Sequence, residues 1–146
     1  MIDPPNSILQ FEQQLAALKA AGLNVPAPAY THFGGELLAL VPDERIRIAF
    51  PLKAEQENPT GNTLGGMLAV FFDLAYGPFS YFVARGPAVS LDLNTTFVRP
   101  LSTTDARVEI EVWLIEQSKS YLLMEGKAYK SDGRLVATST SRMQKL

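Results

Sequence analysis

The sequence predicts an α+β fold: a curved antiparallel sheet of five to six strands wrapped around one long central helix, with an extra helix near the N-terminus. Three observations predict it. Residues 64–84 form an apolar run whose only charge is Asp73, which reads as a helix buried in protein. Four segments after it and two before it alternate apolar and polar residues at the strand period. Residues 7–21 place Ile8, Phe11, Leu15 and Leu18 at helical spacing, with Gln10, Gln13, Gln14 and Lys19 elsewhere.

The elements follow in order. Asp3, Asn6 or Ser7 can cap the first helix, and Gly22 stands where a C-terminal cap belongs. Residues 24–28 (NVPAP) read as an extended linker. Strands are expected at 35–41 and 45–52, joined by Pro42-Asp43-Glu44. The second sets Ile46, Ile48 and Phe50 against Arg45, Arg47 and Ala49. A polar, turn-rich loop at 53–63 leads into a helix from about Gly65 to Val83, which Pro78 is expected to kink or end early. Strands at 88–98, 106–116, 121–130 and 135–143 complete the chain. Ser131-Asp132-Gly133-Arg134 marks a hairpin between the last two. In 88–98 the apolar set is Val89, Leu91 and Leu93, and the polar set Ser90, Asp92 and Asn94. The 146 residues suit one domain.

Composition narrows the function. A net charge of −2 argues against a nucleic-acid partner. With no cysteine and only His32, thiolate metal sites and cysteine nucleophiles are excluded, and any triad is limited to one imidazole. The opening residues lack a charged-then-apolar leader, so a cytoplasmic protein is expected. The 64–84 run is long enough for a membrane span. Asp73 near its middle, Gly77-Pro78 and the missing basic flank argue against one, so no membrane partner is expected.

The central helix is apolar all round, yet a sheet covers one side only. A second copy of the chain is the simplest cover. Gly65-Gly66 at the helix start offers backbone N–H groups without intrahelical partners at the positive end of the dipole. The plainer alternative is a tight entry turn. Asp73 lies eight residues further on, roughly 12 Å along the axis at 1.5 Å per residue. One aspartate cannot span that distance, so joint action on one substrate atom requires two chains about a two-fold axis. Alternatively, Asp73 is an acid bonded to Tyr76, Ser80 or Thr63.

The spacing of Asn58, Gly61, Leu64-Gly65-Gly66 and Asp73, with VSLDLNTTFVRP at 89–100, resembles the hotdog-fold acyl-CoA thioesterases. The likeness is to the phenylacetate-degradation (PaaI-like) type and extends in element order over nearly the whole chain. It implies hydrolysis of an acyl-coenzyme A thioester at the interface of a homodimer or dimer of dimers, without a metal or other cofactor. Position by position, it makes Gly65 N–H the group that polarises the thioester carbonyl and Asp73 the nucleophile or general base. Ser90 would orient the water. Asn58, on the opposite subunit, would lie near the thioester, with Leu64 and Gly66 against the substrate. Leu64 departs from the pattern, which has histidine there. Leucine donates no hydrogen bond, so carbonyl polarisation falls to Gly65 and the helix dipole. An acyl-CoA binder that does not cleave its ligand stands beside this reading, as does a purely structural dimer. A hydratase needs an acid and a histidine together, a pair this chain lacks.

Phe71, Phe72, Tyr76, Phe79 and Trp113 would suit an aromatic or medium-chain acyl group, or serve equally as core. Asp92 reads as part of a solvated face. Residues 53–57, Arg85 and Arg99 are candidates for coenzyme A phosphates, with no assignment made.

Overall fold

The computed structural model describes residues 7–146. Helix α1 (Ser7–Ala20) leads to a short α2 (Pro28–His32), then β1 (Glu36–Val41) and β2 (Arg45–Pro51). The long α3 (Gly65–Ala84) follows, then β3 (Ala88–Phe97), β4 (Arg107–Gln117), β5 (Tyr121–Lys130) and β6 (Leu135–Lys145). The strands form one six-stranded sheet in the order β1-β2-β4-β5-β6-β3, antiparallel at every pairing. The candidate caps Asp3 and Asn6 lie outside the described residues. Ser7 is buried, and its hydroxyl finds no partner among the described residues.

Side chains alternate across the sheet because successive Cβ atoms point to opposite faces. β5 shows this most regularly, burying Leu122, Met124 and Ala128 while Tyr121, Leu123, Glu125 and Lys127 are exposed. β2 buries Ile46, Ile48 and Phe50 against α3. On its other face Arg47 reaches Glu109 at 3.1 Å and Glu111 at 3.0 Å. The Asp132-Gly133 hairpin forms as expected. Gly133 takes φ 89°, and the Arg134 N–H donates to Asp132 Oδ1 at 3.0 Å.

Helix α3 lies against the sheet with Leu68, Phe71, Phe72, Ala75, Tyr76 and Phe79 at 4% exposure or less. Each such large apolar side chain contributes about 1.5–3 kcal/mol relative to exposure. Of the two outcomes expected at Pro78, a kink or an early end, the early end does not occur, and the helix is continuous to Ala84. Two features explain this. Gly77 lacks the Cβ that proline's ring would push out of the helical region, and the following turn is held by the burial of Phe79, Ser80, Phe82 and Val83. The expected linker at 24–28 also ends early, because Pro28 occupies the first helical position of α2. There its missing N–H costs nothing and its fixed φ suits the helix.

Gly126 on β5 makes room for Tyr76. A Cβ there would lie 2.8 Å from Val112 Cγ1 and 3.0 Å from the Tyr76 hydroxyl. That hydroxyl faces Ser139, but neither group completes a hydrogen bond of good geometry. Burial therefore pushes the Tyr76 pKa far up, and that of Tyr30 up to about 12. The stability of the neutral phenols is fully present below the unfolded value near pH 10 and is lost as pH rises through the folded values. Tyr76→Phe is expected to leave stability at pH 7 unchanged or slightly raised, since no good hydrogen bond is lost. It should also flatten the alkaline fall by up to about 1.4 kcal/mol per pH unit, measured by urea unfolding at pH 7 and pH 11.

Candidate active site on the uncovered face of the central helix

Among the described residues one stripe of α3 is only partly covered, open in its first half and facing α1 in its second. Gly66 and Asp73 are exposed, and Val70, Leu74, Gly77 and Tyr81 are half-buried along the same side. Asp73 was expected in apolar surroundings. The neighbours are apolar, but the carboxylate itself is open to solvent.

Among the described residues Asp73 has one hydrogen-bond partner, and it is not Tyr76, Ser80 or Thr63. The Ser90 Oγ donates to Asp73 Oδ1 at 2.9 Å. Ser80 instead donates to the Gly77 carbonyl at 2.7 Å. Asp73 and Ser90 thus meet within one chain.

Strand β3 delivers Ser90 to the helix through an irregularity that alternation did not reveal. Ser90 pairs with Met143 and Asp92 with Arg142, so Leu91 is an extra residue that shifts the register. A bulge of this kind reverses which residues face the core. Ser90 faces α3 with the inward Met143, whereas Asp92 faces outward and meets Arg142 at 3.5 Å. The expectation that Ser90, Asp92 and Asn94 share one face is therefore corrected. Beyond the bulge, Leu93, Thr95 and Phe97 turn toward the helix, opposite inward residues of β6.

At the start of α3, Leu64 is the N-cap residue and is 51% exposed. The N–H groups of Gly65 and Gly66 find no acceptor among the described residues, while Met67 N–H bonds the Leu64 carbonyl at 2.9 Å. The Phe97 ring lies over Gly65, where a Cβ would come within 2.9 Å of it. Close packing therefore favours glycine at 65, and none is imposed at 66, whose Cβ position is open.

Asn58 is occupied differently from expectation. Its Oδ1 accepts from Thr60 N–H at 3.0 Å, Thr60 Oγ1 at 2.7 Å and Asn62 N–H at 3.1 Å. The side chain thus organises the turn leading into α3, and among the described residues its amide nitrogen is left over as a donor. Gly65 and Asp73 sit two turns apart on α3. Arg85 is engaged with Asp43 at 3.1 Å, and Arg99 with the Leu135 carbonyl. His32 ends α2, its ring against Phe33.

Asp73 and Ser90 line a half-open cavity of about 300 Å³ between α1, residues 23–27 and the second half of α3. Its walls include Leu15, Leu18, Leu23, Val25, Pro78 and Tyr81. The aromatic residues first considered for an acyl group are absent from it. Phe71, Phe72, Tyr76 and Phe79 are fully buried core, and Trp113 lies on β4. Sequence reading missed the cavity's near wall, although the stripe Phe11-Leu15-Leu18 followed by Leu23 and Val25 carried a signal of it.

A family model described as the thioesterase superfamily matches residues 60–137. A point mutant of the phenylacetic acid degradation protein PaaI from Thermus thermophilus is 28% identical with a TM-score of 0.72, over 82% of this chain and 99% of that one. AziG of S. sahachiroi is 21% identical with a TM-score of 0.76, over 82% and 97%. The PaaI protein from the E. coli phenylacetic acid degradation operon is 14% identical with a TM-score of 0.77, over 93% and 96%. At the two lower identities the likeness speaks to the fold. No curated protein matches the chain.

Proposed function

Because the chain belongs to the thioesterase superfamily and has its hotdog fold, we propose that it is a cytoplasmic acyl-coenzyme A thioesterase acting as a homodimer or dimer of dimers. The observation that carries the reading is the Ser90–Asp73 hydrogen bond of 2.9 Å in the wall of an apolar cavity. Asp73 takes a proton from water held beside Ser90, and the hydroxide attacks the thioester carbonyl; the carboxylate attacking directly is the other route through the same geometry. The negative charge that develops on oxygen is met by Gly65 N–H of the other subunit, at the positive end of α3. The carbon–sulfur bond then breaks, giving the acid and the thiol, which takes the proton. The leftover Asn58 amide donor stands in the turn just before this helix start.

Two features support the paired assembly. β3 is an edge strand carrying exposed Val89, Leu91 and Phe97, with exposed Val98 just beyond it, and an unpaired apolar edge favours addition of another strand. The part of the α3 stripe that α1 leaves open, from Gly66 to Asp73, lies beside it. Pairing of two copies covers both and brings Asp73 of one helix to Gly65 of the other.

Thiol release from a panel running from acetyl- to lauroyl-coenzyme A, with phenylacetyl and benzoyl forms, tests the activity. Release above the uncatalysed rate is expected. The second reading, a binder that does not cleave, draws on exposed Leu64, which has no donor to offer a carbonyl. Silence across the panel, with melting still raised by the same ligands, would favour it.

A further inference from the structure

Resting on the acyl-thioester reading above, we propose that α1 and residues 23–27 form the acyl-selecting wall of the site. The substrate they select is an uncharged acyl group of about six to ten carbons.

The cavity holds Asp73 and Ser90 in one wall, so a carbonyl carbon positioned at Asp73 directs its acyl tail into the remaining space. That space is apolar, bounded by Leu15, Leu18, Leu23, Val25, Pro78 and Tyr81. Its volume is about 300 Å³, at the lower end for small-molecule sites. A water takes about 30 Å³ of liquid, so the space suits roughly ten non-hydrogen atoms. A long fatty chain exceeds it and would have to leave through its open side, and an acetyl group leaves most of it empty. No Lys, Arg or His is among the lining residues, and Asp73 is the one charge there. A second carboxylate at the far end of the acyl group would find no partner and would be expensive to bury.

Helix α1 is joined to the end of α3. The Phe11 ring packs on Phe82 at 4.8 Å between centroids, and Gln14 Nε2 donates to the Phe82 carbonyl at 3.5 Å. Both α1 and residues 23–27 precede the segment that matches the superfamily model, residues 60–137. The catalytic pair and the oxyanion glycine lie inside it. The near wall of the acyl space is thus carried by a part of the chain separate from the part that carries the chemistry, while Pro78 and Tyr81 of the far wall lie inside it.

Leu18 is half-buried in the wall, so it can be exchanged in both directions. Wild type, Leu18→Trp and Leu18→Ala would be compared on straight-chain acyl-coenzyme A substrates of two to sixteen carbons. Wild-type kcat/KM should peak between six and ten carbons. Leu18→Trp should lower the octanoyl-to-butanoyl ratio at least tenfold, the scale of a lost methylene pocket, and Leu18→Ala should move the peak to longer chains. Superimposable chain-length profiles for all three proteins would overturn the proposal. If wild type releases no thiol from any substrate, the hydrolase reading fails by itself. The same series read as ligand-induced melting shifts then decides the wall: a chain-length optimum moved by the Leu18 variants upholds it, and an unmoved one overturns it.

Discussion

Asp73→Asn is expected to lower kcat for thiol release by about 10²–10⁴, the usual contribution of a positioned general base. The substitution changes little else. The side chain is exposed, and its hydrogen-bond partner among the described residues is Ser90 Oγ, which an asparagine carbonyl can still accept from. An exposed isosteric change of this kind normally shifts stability by less than about 0.5 kcal/mol. Melting temperature and circular dichroism should therefore match wild type. Retained turnover in the variant would remove Asp73 from the mechanism, and the same loss accompanied by unfolding would leave the aspartate a structural role.

Gly65→Pro is expected to be nearly inactive alone and to regain activity when mixed with Asp73→Asn. Gly65 is the first residue of α3, where proline is favoured, and Leu64 precedes it at ψ 133°, a value compatible with a following proline. The ring would displace Phe97, whose side chain is 56% exposed and able to move. The lost feature is the N–H itself, and losing one oxyanion donor costs about 10²–10³ in rate. In a mixed dimer, the Gly65→Pro chain supplies an intact Asp73 and the Asp73→Asn chain an intact Gly65, so one of the two sites is whole. Random pairing makes half the dimers mixed, and co-expression should restore about a quarter of wild-type activity. A site built within one chain would stay silent in the mixture.

Much of the fold was legible because period reports packing. The limits of β5 agree with the sequence expectation at both ends, and those of α3 differ by one residue at its end. Asp73 and Gly65 stood out because each is a residue type at odds with its neighbours, a lone charge and one of a pair of glycines before a helix, whereas Ser90 is one of three polar residues in the same alternation and was singled out by the family resemblance alone. The features missed are those in which tertiary contacts override local preference. Burial of Phe79, Phe82 and Val83 carries α3 past Pro78, and folding α1 over the end of α3 makes a cavity from residues far apart in sequence. The bulge was hidden for another reason. Leu91 and Leu93 are both apolar, so the alternation looks unbroken although the strand has changed phase between them.

That extra residue settles a question of parity. Ser90 and Phe97 are seven positions apart, an odd interval, and on a regular strand they would point to opposite sides. With Leu91 inserted, both point to the helix, one beside Asp73 and the other over Gly65. In the proposed dimer these two points belong to different reaction centres. A single strand therefore sets the acid of one centre and the oxyanion end of the other.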